Sequence, residues 1–140
     1  MFSEETAGKT PDPAHGPTMP KLQRLRTHAF HAQRGRCCYC GLPMWNASPD
    51  ELRIIGLRSR TAAPLRCTAE HLVAQRDGGK DVAENIAAAC WLCNTRRHKR
   101  KSPPAPEAYC AFVGRRMAKG KWHAPAVIAA AGRAIRAHER

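Results

Sequence analysis

The sequence predicts a small α+β domain in which a strand, a turn, a second strand and a helix form a metal-stapled unit flanked by further helices. The chain has 140 residues, which is about one domain on the usual range of ~100–200 residues. Its middle part runs from an apolar stretch through a glycine turn to a second apolar stretch and a basic helical stretch. Two Cys-x-x-Cys pairs, Cys37/Cys40 and Cys90/Cys93, accompany that unit.

Composition narrows the class of protein further. The chain has 24 Lys and Arg against 11 Asp and Glu, a net charge of +13, well beyond the ~2–8 charges of an ordinary small domain. Such an excess indicates a polyanionic partner. Aromatic residues make up only 6% of the chain, so the core is short of the large rings that dominate packing energy. We therefore expect something besides apolar packing to hold the fold together.

The cysteine count favours metal ligation over disulfides. Residues 1–19 contain several prolines and have neither a basic segment nor an apolar run of ~7–15 residues, so they do not read as a secretion signal. The longest apolar run, Ile86–Cys93, is shorter than the ~20 residues that cross a bilayer. We expect a soluble, cytoplasmic protein with a flexible tail at residues 1–19. Seven cysteines would also leave one thiol unpaired under full disulfide formation.

The first elements after the tail are a helix and a loop-rich region. Leu22, Leu25, Ala29 and Phe30 have helical spacing and predict an N-terminal helix within residues 20–35, ended by Gly35. Turn-forming residues are frequent over residues 36–61, where Leu52–Leu57 reads as a short strand. These residues begin the predicted core at 36–102.

The remaining elements give a strand–turn–strand–helix order followed by two helices. Leu65–Val73 suits a strand, Asp77-Gly78-Gly79 a turn, and Ile86–Ala89 a second apolar stretch before a basic helix from about Cys93. Three prolines between residues 103 and 106 interrupt the chain. Apolar residues then recur at helical spacing, which predicts a C-terminal helical extension over residues 103–140.

The two cysteine pairs predict a structural zinc site. Each Cys-x-x-Cys places two thiolates on one turn, and two such pairs can close a tetrahedron around zinc. Cys38 competes with Cys37, but the spacing to Cys40 favours Cys37. A single pair could instead be a redox dithiol, or the cysteines could be inert buried residues. We interpret Cys67 and Cys110 as non-ligands.

Between the cysteine pairs the chain resembles a known nuclease family. The elements occur in the order Glu70-His71, Gly78-Gly79, Asn85-Ile86 and Cys90-Trp-Leu-Cys93-Asn94, with His98 one helical turn later. In this order and spacing, roughly residues 36–101 resemble the HNH nuclease family. The resemblance implies a ββα-metal fold that grips one divalent ion beside a histidine base.

The resemblance also implies roles for single residues. His71 corresponds to the general base, Glu70 and Asn94 to ligands of the catalytic metal, and Asn85 to the residue that orients His71 through the intervening loop. His98 is a further candidate ligand. Carboxylate and amide oxygens favour Mg²⁺ or Mn²⁺, although zinc or nickel can also bind such a set. The chain departs from the usual family pattern in having Glu70 in place of an aspartate and Ala74 in place of a proline.

A basic stretch next to the predicted metal site indicates contact with DNA, which we expect to be double-stranded. Because it extends the helix that begins near Asn94, phosphate contact there would hold the backbone near the metal. We expect these side chains to face solvent. The stretch comprises Arg96, Arg97, Lys99, Arg100 and Lys101. Arg133, Arg136 and Arg140 could extend this surface or solvate the last helix.

These features predict a metal-dependent HNH endonuclease with a structural zinc. A catalytically inactive, zinc-stapled DNA-binding module is the alternative, and a thiol redox protein is a third. One active site cuts one strand per encounter, so double-strand cleavage would need a homodimer or a second visit. The C-terminal helices are the predicted surface for such a dimer.

Overall fold

The computed structural model describes residues 19–138. The tail predicted at residues 1–19 therefore lies outside the described residues except for Met19, and Arg140 also lies outside them. Within these residues, five α-helices and one two-stranded sheet follow in the order α1 (Lys21–Ala32), α2 (Ser59–Ala62), β1 (Cys67–His71), β2 (Ile86–Cys90), α3 (Trp91–His98), α4 (Pro106–Ala118) and α5 (Pro125–His138).

The predicted strand–turn–strand–helix unit is confirmed. Strands β1 and β2 pair antiparallel, with Cys67 opposite Cys90 and His71 opposite Ile86. Helix α3 begins immediately after β2, and the side chain of Cys90 caps it by accepting a hydrogen bond from the backbone N–H of Cys93. This register brings the end of β1 and one face of α3 to the same side of the unit.

Helix α1 packs on the sheet and is fixed there by one side chain. It begins at Lys21, as its apolar spacing predicts, and Gly35 adopts a positive φ of 72° just after its end. The amide of Gln33 donates to the backbone oxygen of Ala88 and accepts from its N–H, both at 2.8 Å. Small residues on β2 let the helix approach closely.

The strand predicted at Leu52–Leu57 is wrong, because residues Pro49–Ile55 form a 3₁₀ helix. Ser48 caps this helix, and the carboxylate of Glu51 accepts from the Ser48 backbone N–H at 2.7 Å. This Ser-x-x-Glu pattern is a capping box, a helix-start signal that outweighs the β-branched residues that follow it. The basic helix is also shorter than predicted, since α3 ends at His98 and not at residue 101.

The core joins the ββα unit to the C-terminal helices. Tyr109 of α4 is fully buried, stacks edge-on against Tyr39 and donates its hydroxyl to the backbone oxygen of Cys93 at 2.7 Å. Trp122 packs edge-on against Phe112. Four aromatic residues, Tyr39, Tyr109, Phe112 and Trp122, thus pack together beside the cysteine pairs. Among the described helices, none is both long and apolar enough to cross a bilayer.

Candidate functional site

Four cysteines come together beneath the sheet and are positioned to hold a metal ion. The sulfur atoms of Cys37, Cys40, Cys90 and Cys93 lie within 4.8 Å of one another. Cys40 Sγ and Cys90 Sγ are 3.9 Å apart, close to the ~3.8 Å edge of a tetrahedron with Zn–S bonds of ~2.3 Å. The arrangement fits structural zinc, and the group of four sulfurs includes that of Cys37 and not that of Cys38.

The four thiols also need a cation on electrostatic grounds. Hydrogen bonds from the thiols of Cys38 and Cys40 hold the pKa of Cys37 well below its usual value. The interaction with Cys37 then raises the pKa of Cys93 far above its usual value. Four thiolates crowded this closely repel one another unless a bound cation offsets their charge.

The chain between α4 and α5 covers this cluster, which the sequence did not indicate. Trp122 is buried and its indole N–H donates to Cys93 Sγ at 3.2 Å. His123 is also buried, with its Nε2 3.8 Å from Cys90 Sγ. Backbone N–H groups of Cys90 and Tyr39 point at Cys37 Sγ. Such donors lower the charge density on the sulfurs and fix their orientation.

A separate cleft of about 290 Å³ opens between the end of β1, the following loop and α3. It is lined by His71, Ala74, Gln75, Arg76, Asn94 and His98. Asn94 and His98 are four residues apart, so they lie on one face of α3. The structure therefore brings His71 together with two of the residues that the resemblance associates with a catalytic metal.

His71 is held by a carboxylate that the sequence did not single out. Its Nε2 lies 2.8 Å from Asp81 Oδ1, and the imidazole is only 14% exposed. The hydrogen bond from His71 lowers the pKa of Asp81 below its usual value. Because a carboxylate accepts hydrogen bonds only, this contact requires the proton on Nε2, which in the neutral imidazole leaves the lone pair on Nδ1.

The loop after β1 is shaped by Asn85 and by two glycines. Asn85 Oδ1 accepts from the backbone N–H of Val73 at 2.8 Å, and its amide donates to the oxygens of Val73 and Lys80. Gly78 has a φ of 90°, and a Cβ on Gly79 would lie 1.7 Å from the Val73 oxygen. Asn85 thus acts on the loop that carries Asp81, without a hydrogen bond to the His71 ring.

Glu70 is fully buried beneath the cleft. Its Oε1 is 2.7 Å from His98 Nε2 and 3.2 Å from Arg97 Nη1, whereas its Oε2 is buried without a hydrogen-bond partner. The amide nitrogen of Asn94 donates to Thr68 Oγ1 and to the Ala69 oxygen. The amide oxygen is then the atom of Asn94 that is left for a ligand.

Comparison with known protein families gives a match to the part of the chain that contains the cleft. Residues 58–100 match the family model described as HNH endonuclease. Residues 58–100 thus form an HNH-like domain. The match contains the whole cleft and the second cysteine pair, while Cys37 and Cys40 lie before it. No match was found among curated proteins or among solved structures.

The prediction that Arg97 faces solvent is wrong, and this residue belongs to the interior of the HNH domain. Arg97 is only 4% exposed. Its guanidinium donates to Glu70 Oε1 and to the backbone oxygens of His71, Leu72 and Pro104. It therefore offsets the buried charge of Glu70 and ties α3 to the end of β1, which removes it from the set of candidate phosphate contacts.

The other basic residues of the stretch remain at the surface. Arg96 donates to the Trp122 oxygen and lies 4.6 Å above the Trp122 ring, and Arg100 lies 4.7 Å above the Phe112 ring. Lys99 and Lys101 are exposed. Arg133 and Arg136 are exposed on α5.

We expect Arg97→Gln to destabilise the protein strongly. Removing one partner of a buried ion pair leaves the other charge without compensation, which costs about 3–5 kcal/mol. Urea unfolding followed by circular dichroism measures this loss. Lys99→Gln is the matched control, with an expected change within about 0.5 kcal/mol because its side chain is solvated. Equal unfolding midpoints for the two variants would contradict the structural role of Arg97.

Proposed function

We propose that this chain is a metal-dependent endonuclease that hydrolyses phosphodiester bonds of DNA. The observation that carries the proposal is the arrangement of the cleft in the HNH domain. There a histidine held by Asp81 lies next to a helix face that presents an amide and a second imidazole beside a buried carboxylate.

His71 is proposed to take the proton from the attacking water. Hydrolysis of a phosphodiester needs a deprotonated water, and an imidazole with a free lone pair can accept that proton near neutral pH. Asp81 holds the ring and stabilises the imidazolium that forms, as the carboxylate of a catalytic triad does. Asn85 is a positioning residue, because it fixes the loop between His71 and Asp81.

Two residues that line the cleft and one buried beneath it fit a divalent catalytic metal. Glu70, Asn94 and His98 would hold it, and the unpartnered Oε2 of Glu70 is the sort of buried atom that a cation would satisfy. The carboxylate and amide oxygens suit Mg²⁺ or Mn²⁺, and the imidazole would also suit zinc or nickel. When bound, such an ion would supply positive charge that offsets the negative charge on the oxygens of the pentacoordinate phosphorane.

The rim of the cleft supports contact with a phosphate backbone. Arg76 lines the cleft and donates to the backbone oxygens of Arg100 and Lys101, which holds the loop after β1 against the end of α3. The exposed side chains of Lys99, Arg100 and Lys101 follow directly from the helix that carries Asn94 and His98. DNA bound along them would pass the cleft.

We expect the triple variant Lys99→Gln, Arg100→Gln, Lys101→Gln to bind duplex DNA less tightly at all sequences. Each neutralised phosphate contributes about 0.9 to the slope of log K against log salt, so the slope should flatten by roughly two to three units. Fluorescence anisotropy across a salt series measures it. The unfolding midpoint should stay near the wild-type value. An unchanged slope would mean that DNA follows another path, with Arg133 and Arg136 the next residues to replace.

One observation favours the alternative of an inactive zinc-stapled DNA-binding module. Oε1 of Glu70 already has two protein partners, and Arg97 offsets its charge. The positively charged guanidinium of Arg97 therefore lies beside the carboxylate that would ligate the metal. This neighbouring charge weakens the attraction of the carboxylate for a divalent ion.

Plasmid cleavage distinguishes the two functions. Zinc-loaded protein is incubated with supercoiled plasmid and Mg²⁺, Mn²⁺ or Ni²⁺, and the ends are mapped. An endonuclease converts supercoiled DNA to nicked or linear forms only with added metal, and a binding module leaves it intact. Nicked circles before linear DNA would indicate single-strand cuts, whereas direct linearisation would favour a homodimer acting on double-stranded DNA.

A further inference from the structure

A second cleft of about 280 Å³ lies at the start of α3 and has aromatic walls. It is lined by Trp45, Ala63, Pro64, Arg66 and Trp91. Trp91 is 41% exposed, although tryptophan is highly buried on average. The chain has only three tryptophans, so the exposure of Trp91 suggests that its ring has a role at the surface.

Hydrogen bonds of the surrounding backbone hold the walls of this cleft in place. The indole N–H of Trp45 donates to the Ala62 oxygen at 2.8 Å. The backbone N–H of Trp91 donates to the Arg66 oxygen at 2.8 Å, and the Trp45 oxygen accepts from the N–H of Cys67. These hydrogen bonds fix the Trp45 ring and the backbone that carries Arg66 and Trp91, so the cleft is formed before any ligand binds.

The position of Trp91 connects this cleft to the one that holds His71. Trp91, Asn94 and His98 are spaced at i, i+3 and i+7, which places them along one face of α3. Arg66 also lines a neighbouring groove with Thr68 and Ala69, the two residues that accept the hydrogen bonds of the Asn94 amide. A nucleic-acid strand that crosses the His71 cleft can thus continue past Arg66 to Trp91.

The chemistry of the cleft favours a nucleic-acid base over an apolar partner. Its lining includes a cationic residue and no acidic one, and the chain carries a net charge of +13. Ligand pockets commonly span ~300–1,000 Å³. At about 280 Å³ this cleft lies at the small end of that range, which suits a single planar ring. Bases stack on aromatic side chains whatever their sequence, while arginine pairs with the adjacent phosphate.

We propose that Trp91 stacks against an unpaired nucleobase beside the phosphate in the His71 cleft, with Arg66 contacting the neighbouring backbone. The proposal rests on the proposed nuclease function and specifies its substrate. DNA with unpaired nucleotides next to the cut, such as a junction or a frayed end, is bound better than fully paired duplex.

Binding of non-cleaved DNA tests this proposal independently of catalysis. Zinc-loaded His71→Ala protein is titrated with a labelled duplex carrying a single-stranded extension and with the fully paired duplex, using anisotropy. Adding Trp91→Ala should weaken binding of the extended DNA about 5- to 150-fold and leave the paired duplex within twofold. Trp91→Phe should retain most of the affinity, because it keeps an aromatic face.

Ile54→Ala is the matched control, since Ile54 is an apolar side chain that is 92% exposed elsewhere. It should not change either affinity, and zinc content and melting temperature should match in all variants. Equal weakening for both DNAs, or no weakening, overturns the proposal. A Trp91→Ala protein that loses self-association and keeps its affinity for extended DNA would identify a second copy of the chain as the occupant. Absence of plasmid cleavage by the wild type would reject the nuclease and leave this binding result unaffected.

Discussion

His71→Ala should lower the single-turnover rate of DNA cleavage by about 10²–10⁴-fold, the usual contribution of a positioned general base. The loss arises because His71 is the imidazole that Asp81 holds in the cleft; Gln75 also donates to Asp81 Oδ1, but an amide cannot act as a general base. DNA affinity and zinc content should be unchanged, since His71 is neither one of the four clustered cysteines nor part of the basic rim. The measurement is cleavage of an end-labelled duplex with enzyme in excess and metal saturating.

Two further variants make this test specific. Asp81→Asn keeps the shape of the loop but no longer favours the tautomer with a free Nδ1, so it should reduce the rate by a smaller factor without changing DNA affinity. His28→Ala removes an exposed histidine on α1 and should cut at the wild-type rate. Cleavage by His71→Ala at that same rate would remove His71 from the mechanism.

Cys93→Ser should abolish zinc binding and the cooperative unfolding transition. Structural zinc contributes its binding free energy to folding, and the fully buried Cys93 lies where α3, Trp122 and Tyr109 meet. With few aromatic residues and a two-stranded sheet, the described chain has little else to hold these elements together. Zinc per chain and a thermal melt by circular dichroism measure the effect.

The chain offers a matched control in its own cysteines. Cys110 is exposed and lies outside the group of four sulfurs. Cys110→Ser should therefore bind one zinc ion per chain and melt like the wild type. If Cys93→Ser also keeps its zinc and its transition, the cluster does not stabilise the fold.

The parts of the fold that were predictable from sequence depend on local signals. Two Cys-x-x-Cys pairs, the Gly78-Gly79 turn and the apolar stretch before Cys90 each indicate their structure within a few residues. The 3₁₀ helix at Pro49–Ile55 also had a local signal, the Ser48/Glu51 capping box, but its β-branched residues suggested a strand.

The parts that were missed depend on contacts between distant residues. Arg97 looks like one more member of a solvated basic stretch, and only the buried carboxylate of Glu70, 27 residues earlier, explains why it faces inward. In the sequence, Asp81 is one of several acidic residues with nothing to distinguish it. Only the folded loop brings its carboxylate to the His71 ring. Trp122 and His123 reach the cysteine cluster because α4 returns the chain across it. No pattern within their own segments marks these residues.

Cleavage in H₂¹⁸O tests the central claim most directly. Zinc-loaded wild-type protein cuts a duplex in a single turnover with Mn²⁺ or Mg²⁺, and the terminal phosphate of the product is analysed by mass spectrometry. Activation of water beside His71 predicts metal-dependent product carrying one ¹⁸O atom on that phosphate, formed about 10²–10⁴-fold more slowly by His71→Ala under the same conditions. Intact DNA at every metal tested, despite full zinc content and tight binding, would contradict the nuclease and leave a DNA-binding module.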